Sequence, residues 1–160
     1  MLIFKWSKGH EAFDDAHFIR ETVFVKEQGF DSEFDEIDKN AHHLTIYFQD
    51  DNVTDTKPVL NVQRVAYTQR VAVSRIFTEN DTEEYHIGRV CVLKQYRGFH
   101  YGEALMKESM RKAAELGAKT AVLGAQKRVE KFYAKLGFEA FGEEYLDQFC
   151  PHVHMRAKLS

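Results

Sequence analysis

The chain has 160 residues, the size of one domain, which is enough for a hydrophobic core without disulfide or metal support. Its 22 basic and 25 acidic residues give a net charge of -3, so the positive field needed for nonspecific nucleic-acid binding is missing, and neither DNA nor RNA is expected as a partner. No stretch approaches the roughly 20 apolar residues of a membrane-spanning helix and no basic leader precedes Lys5, so we expect a cytoplasmic protein without a membrane partner. Two cysteines, Cys91 and Cys150, are too few for a disulfide framework and suit a reducing compartment.

The first half of the chain is predicted to contain mainly strands. Short apolar runs and alternating patterns indicate strands, and apolar residues at helical spacing indicate one helix. The predicted elements are a strand at 2–6, a helix at 12–24, a strand at 44–48 and a β-rich stretch at 59–77. Residues 28–40 are acidic and are predicted to form a loop or a short broken helix that shapes a substrate entrance.

The second half alternates strands with helices. Its predicted elements are a strand at 86–93, a helix that ends at Gly117, a strand at 119–125, a helix at 126–136 and a strand at 138–141. No repeat, low-complexity tract or linker divides the chain. We therefore expect a single domain over residues 1–160, with an α+β sheet on which helices pack.

A glycine-bearing turn, YRGFHYGEAL at 96–105, joins the predicted strand at 86–93 to the following helix. Such a turn points backbone N–H groups and the positive end of the helix dipole at its mouth, which is typical of an anion site. Gly98 and Gly102 allow a bulky anion to approach the main chain, and Arg97 adds a bidentate donor for phosphate. The residues thus predict a pyrophosphate site, with an ordinary strand-to-helix turn as the alternative.

This turn resembles motif A of the GCN5-related N-acetyltransferase (GNAT) superfamily, whose pattern is Arg/Gln-x-x-Gly-x-Gly/Ala. Arg97 and Gly102 match its ends, whereas His100 stands at the middle glycine. The segment AQKRVEKFYAKLGFEAF at 125–141 is similar to motif B of the same superfamily. Across nearly the whole chain, IRETVFVKEQGF, a histidine before the second strand, IGRVCV, LGAQKRVEKFY and CPHVHM resemble the ElaA-like branch of acetyltransferases.

The resemblance implies acetyl-CoA as cosubstrate and a GNAT-like mixed, mostly antiparallel sheet with helices on both faces. Its fourth and fifth strands would splay apart and admit the pantetheine arm. The cofactor-binding residues implied in this way are Val90, Cys91, Val92, Arg97, Gly98, Phe99, His100, Tyr101, Gly102, Glu103, Gln126, Val129, Phe132 and Tyr133.

Direct acyl transfer needs an acid for the departing thiolate and a base for the incoming ammonium. By its place in motif B, Tyr133 is the expected acid, because a phenol with a free pKa of about 10 stays protonated at neutral pH. Without that match, a packed core tyrosine would be the better interpretation. Cys91 lies in a β-branched run and is expected to be a small buried hydrophobe, not a nucleophile.

The base is less defined, and several residues are candidates for it or for substrate contact. Glu27, at the end of the first helix, could accept a proton, with a surface or capping role as the alternative. His43 and His152 have the suitable pKa range. Cys150, His152 and His154 share one side of an extended strand, but no metal is expected because a tetrahedral shell needs further ligands.

The sequence therefore predicts an enzyme that moves an acetyl group from acetyl-CoA directly to an amine, either a small cationic amine or an exposed protein amine. The alternative is a noncatalytic acyl-CoA-binding module. The acidic run at 31–38 favours cationic acceptors, unless it is merely a solvated loop. The acceptor's identity and the oligomeric state stay open, and a homodimer is compatible with the sequence.

Overall fold

The computed structural model describes residues 1–50, 68–80 and 83–160. Those residues build a seven-stranded sheet of strand order β1-β2-β3-β4-β5-β7-β6. The strands are β1 (Leu2–Lys8), β2 (His42–Gln49), β3 (Thr68–Phe77), β4 (Glu84–Val92), β5 (Thr120–Gln126), β6 (Glu139–Asp147) and β7 (Cys150–Lys158). The β-rich stretch predicted at 59–77 is β3 from residue 68 onward, and its earlier part lies outside the described residues.

One pair of neighbouring strands, β4 and β5, is parallel, and the other pairs are antiparallel. The parallel pairing runs only from Glu84 opposite Thr120 to His86 opposite Val122. Beyond His86 the two strands diverge, so each exposes one backbone edge toward a gap in the middle of the sheet. The expected α+β fold, a mostly antiparallel sheet with splayed central strands, is confirmed.

Helices cover both faces of this sheet. They are α1 (Asp14–Arg20), which continues as a π-helix (Glu21–Glu27), α2 (Tyr101–Glu115) and α3 (Glu130–Ala134). Ile19 of α1 packs in a cluster with Val73 and Cys91, whereas Leu105 of α2 packs in a cluster with Ala72 and Leu44. Because Ala72 and Val73 are consecutive in β3, their side chains point to opposite faces, and so the two helices lie on opposite faces.

Several boundaries differ from the sequence prediction. The acidic segment 28–40, for which a loop or a short broken helix was predicted, is a loop that ends in a 3-10 helix (Glu36–Lys39). The helix predicted at 126–136 begins as a 3-10 turn (Lys127–Val129) and is α-helical only over Glu130–Ala134. The last predicted strand is longer and runs to Asp147, because β6 continues its pairing with β7 beyond an irregularity after Phe141.

A bulge in β4 lies directly beside the gap. The register with β3 changes from Val73 opposite Cys91 to Arg75 opposite Gly88, so Arg89 and Val90 together face Ser74. Arg89 has a positive φ of 52°, an uncommon backbone conformation for an arginine. The bulge redirects the end of β4 along the edge of the gap.

Candidate active site

An outer cleft of about 720 Å³ occupies the gap between β4 and β5. Its walls are the end of β4, the turn before α2, and the segment that contains α3. It is lined by every residue predicted to bind the cofactor except Phe99. Phe99 is 62% exposed and stacks on Tyr101 with 5.9 Å between ring centroids. The two sequence motifs therefore meet at one cleft.

The turn before α2 presents unsatisfied backbone donors to this cleft. Gly98 and His100 both have positive φ values, 87° and 62°. His100 is the N-cap residue of α2, and no side chain caps the helix there. Within the described part of the chain, the first N–H groups of this 15-residue helix therefore have no side-chain cap and can bind an anion. His100 adopts the left-handed conformation that a glycine would take most readily, at a cost of order 1 kcal/mol.

Arg97 is already paired in this structure. Its Nη2 donates to Oε2 of Glu27 at 2.7 Å, and its Nε donates to the carbonyl oxygen of Val92 at 2.9 Å. Both side chains of the ion pair are partly exposed. Glu27 does not line the outer cleft itself. The structure thus brings Glu27 to the mouth of the cleft, beside Arg97, and not to its inner end.

An inner cavity of about 240 Å³ adjoins the outer cleft. Its wall includes the aromatic rings of Phe30, Phe77 and Tyr145 and the imidazoles of His86 and His152. The residues that line both spaces are Phe24, Val90, Gln126, Val129 and Tyr133. The two spaces therefore meet at the inner end of the gap between β4 and β5.

Tyr133 lies at this junction, where α3 places it over the sheet. Its ring packs edge-on against Phe132 and Phe138, with centroid distances of 5.0 and 6.1 Å, and the residue is 8% exposed. Burial, with a smaller contribution from Cys91, raises the pKa of the Tyr133 phenol. The phenol is therefore protonated at neutral pH and can act as a hydrogen donor.

His152, on β7, faces the inner cavity with a defined tautomer. The residue is 7% exposed, and its Nδ1 lies 2.9 Å from the carbonyl oxygen of Cys150. A carbonyl oxygen only accepts, so Nδ1 carries the hydrogen, which leaves the lone pair of the neutral ring on Nε2. Neutral His152 is thus a proton acceptor at Nε2.

In the described ranges no three His, Cys, Asp or Glu side chains form a group that could hold a metal ion.

The structure does not bring His43 to either space. The residue is fully buried in β2, its Nε2 lies 3.2 Å from the carbonyl oxygen of Asp38, and its ring packs edge-on against Phe13.

Cys91 is also buried, and burial strongly raises the pKa of its thiol. Its packing with Val73 and Ile19 is that of a small hydrophobe.

The acidic run is not a solvated entrance, because arginines neutralise most of it. The ion cluster consists of Arg20, Arg75 and Arg89 with Glu33, Asp35 and Asp38. Arg20 is fully buried and bonds Glu33 at 3.0 Å and Asp38 at 2.8 Å. Although burial favours the neutral acid, the hydrogen bonds and charges of Arg20 and Arg75 lower the pKa of Asp38 to about 2. The cluster braces the wall of the inner cavity.

Sequence reasoning missed several residues of the inner cavity, including Gly124, Tyr145, His86 and Arg89. Gly124 interrupts an otherwise apolar strand, a signal of close approach by another group. Indeed, a Cβ built on Gly124 would overlap the Tyr145 hydroxyl oxygen. The local sequence around Gly124 could not predict that the approaching group is Tyr145, because the pairing of β6 with β7 brings the two residues together.

Comparison with known proteins agrees with this geometry. Residues 60–159 match the family model of the acetyltransferase (GNAT) domain. The chain is 32% identical over 152 residues to the uncharacterized N-acetyltransferase YjcF of Bacillus subtilis, covering 93% of this chain and 94% of that protein. It is 30% identical over 112 residues to protein ElaA of Escherichia coli, covering 69% and 71% of the two chains.

Solved structures show the same fold. An acyl-CoA N-acyltransferase from Pseudomonas aeruginosa superimposes with a TM-score of 0.76 at 26% identity, covering 98% of this chain and 99% of that chain. The Escherichia coli ElaA structure gives a TM-score of 0.75 at 24% identity with the same coverage. No helix within 1–50, 68–80 or 83–160 is long and apolar enough to cross a membrane. The chain belongs to the GNAT family of acetyltransferases and is an N-acetyltransferase with acetyl-CoA as its cosubstrate.

Proposed function

We propose that the protein moves the acetyl group of acetyl-CoA directly to an amine held in the inner cavity, without an acyl-enzyme. The observation that carries this proposal is the meeting of the outer cleft and the inner cavity at Tyr133. Two substrates that enter from opposite sides can react at such a junction. The buried thiol of Cys91, with its raised pKa, is not suited to act as a nucleophile.

The outer cleft would hold the cosubstrate through the start of α2, through Arg97 released from Glu27, and through the open edge of β4. The free N–H groups at the start of α2 and the guanidinium of Arg97 would bind the pyrophosphate. Along Val90–Val92, β4 pairs with β3 on one side and faces the cleft on the other. Its open edge offers backbone donors and acceptors to the pantetheine amides.

At the junction, two side chains would manage the protons. His152 Nε2 would accept a proton from the bound ammonium, which frees the nitrogen lone pair for attack. The new N–C bond forms as the S–C bond of the thioester breaks. Tyr133 would donate its phenolic proton to the departing thiolate, and the second proton lost by the attacking nitrogen would restore the phenol. A backbone N–H of β4 near Cys91 or Val92 would polarise the carbonyl.

The size of the inner cavity supports a small amine, or the side chain of a protein lysine, as acceptor. Its volume of about 240 Å³ lies below the roughly 300–1,000 Å³ of sites for drug-sized ligands.

We also infer that residues 1–160 act as one domain, because β1 and β7, from the two ends of the chain, belong to the same sheet.

Calorimetry with CoA, followed by a thiol-release assay over an amine panel, tests the proposal. The panel combines alkylamines, amino alcohols, diamines, amino-acid amides and a lysine-containing peptide. We expect CoA binding, together with thiol release that depends on the amine. Binding without release on any amine would favour the noncatalytic acyl-CoA-binding module. Absence of CoA binding would contradict the assignment of the outer cleft.

A further inference from the structure

Tyr145 reaches across the sheet into the inner cavity. It lies on β6, opposite His152 of β7, and Gly124 of β5 lies on the other side of β7, opposite His154. The Tyr145 ring stacks on His154, with 4.4 Å between centroids, and packs against His152 at 5.6 Å. Two strand spacings of roughly 4.8 Å separate β6 from β5, so only a long side chain spans this distance.

Gly124 makes room for the end of this side chain. A Cβ on Gly124 would overlap the hydroxyl oxygen of Tyr145, so any other residue in this position would displace the phenol. Both residues line the inner cavity. The missing side chain of Gly124 therefore leaves the space that the Tyr145 hydroxyl occupies, and this space fixes the position of the hydroxyl.

The Tyr145 hydroxyl does not stabilise the described part of the fold through a hydrogen bond. It forms no hydrogen bond to the residues that the structure describes, whereas Tyr47 and Tyr96 each bond a side chain. Burial, reinforced by Asp147, raises the pKa of Tyr145, so the hydroxyl stays protonated and can both donate and accept. Transfer of the acetyl group, as proposed above, requires His152 and Tyr133 but not Tyr145.

A second polar group of the same wall is also unsatisfied. Arg75 is 3% exposed and lines the inner cavity, yet its Nε has no hydrogen-bond partner among the residues that the structure describes. The Cβ position of Gly88, another cavity residue, is 3.9 Å from this buried nitrogen. Of these two groups, the Tyr145 hydroxyl is the one that an acceptor in the cavity can reach, and a purely aliphatic amine would leave it without a hydrogen-bond partner.

We propose that Tyr145, seated over Gly124, is a specificity-determining residue whose hydroxyl bonds a second polar group of the acceptor. The acceptor class is then an amine that also carries a hydroxyl or carbonyl group, such as an amino alcohol or an amino-acid derivative. This inference rests on the proposed function, because it takes the inner cavity as the acceptor site. A site built to bind a polar group discriminates against the analogue that lacks it.

Isosteric acceptor pairs test the inference on the intact enzyme. Ethanolamine is compared with propylamine, and tyramine with phenethylamine, since each pair differs in one hydroxyl group. We expect the hydroxyl-bearing member to have a kcat/KM about 3- to 10-fold higher, the effect of one hydrogen bond between neutral groups. In Tyr145→Phe this advantage disappears through a higher KM for the acceptor, while kcat and the Kd of CoA stay unchanged.

Gly124→Ala gives an independent test, because it keeps the tyrosine but displaces its hydroxyl. We expect the same loss of preference, and no further loss in the double variant, since both changes remove one interaction. Tyr85→Phe is the matched control. Tyr85 lies on β4 outside both cavities, so its hydroxyl should not affect the acceptor preference.

The outcomes separate the inference from the function on which it rests. Equal kcat/KM within both pairs, or a hydroxyl advantage that survives in Tyr145→Phe, would overturn the role of Tyr145 but leave the acetyltransferase intact. Transfer confined to amines that lack a second polar group would do the same. Bound CoA without transfer to any amine would overturn the proposed function and the inference with it.

Discussion

The ion pair between Arg97 and Glu27 competes with binding of the cosubstrate. The Arg97 guanidinium is the side-chain cation of the turn before α2, and its Nη2 lies 2.7 Å from the Glu27 carboxylate. A pyrophosphate bound at this turn would require the same donor. Replacing Glu27 with glutamine removes the competing charge and keeps the shape of the side chain. We therefore expect Glu27→Gln to bind CoA more tightly than the wild type does.

The structure sets the size of this effect. The side chains of Arg97 and Glu27 are 42% and 32% exposed, so their pairing belongs to the surface class, worth about 0.2–1 kcal/mol. Since about 1.4 kcal/mol corresponds to a tenfold change, the Kd of CoA should fall by about 1.4- to 5-fold. The change should be larger at low ionic strength, because salt screens the pair in the free protein.

Calorimetric titration of CoA at two salt concentrations measures this change. Glu36→Gln is the control, since Glu36 forms an exposed ion pair with Lys39 away from the cleft and its loss alters the net charge equally. An unchanged or weaker affinity in Glu27→Gln would refute the competition. If Glu27 also served as the base, kcat would fall in the same variant, and the separate measurement of binding distinguishes the two roles.

Three further substitutions test the outer cleft and the junction. Arg97→Ala should weaken CoA binding by about 0.5–3 kcal/mol, because the loss of charge-assisted hydrogen bonds worth roughly 1.5–3 kcal/mol is offset by the competing ion pair of about 0.2–1 kcal/mol, which the variant also lacks. An unchanged Kd would remove Arg97 from the site. Tyr133→Phe should lower kcat roughly 10²- to 10⁴-fold with little change in CoA affinity, and retained kcat would make Tyr133 a core residue only. Gly102→Val should weaken CoA binding by about tenfold, whereas Gly102→Ala should not, because a Cβ there meets Phe132 at an ordinary 3.4 Å while the added methyl groups of valine do not fit.

The outer cleft was predictable from the sequence because its parts are local. The turn at 96–105 combines glycines, an arginine and a helix start within a few residues, and motif B spaces its residues along one short helical segment. Short-range geometry determines both arrangements. The splay between β4 and β5 followed from the family resemblance, since nothing in either strand's pattern indicates where their pairing ends.

The inner cavity depends on long-range pairing, which no local pattern records. Tyr145 reaches Gly124 only because β7 lies between β6 and β5. His43 and His152 are similar in sequence terms, each at or near the start of a strand, yet the fold buries the first against α1 and opens the second to the cavity. Deciding between two such histidines requires the three-dimensional neighbours of each strand.

The ion cluster changes what the acidic run can contribute to acceptor choice. Glu33, Asp35 and Asp38 are matched by three arginines within the cluster, and the exposed Glu36 pairs with Lys39. Little negative field is left to attract cations, because opposite charges at such short distances cancel beyond a few ångströms. We therefore expect putrescine and butylamine, which differ in one amino group and its positive charge, to show a ratio of kcat/KM values that shifts by less than about twofold between low and high salt. A putrescine advantage of about tenfold at low salt that vanished at high salt would show that the loop attracts cations after all.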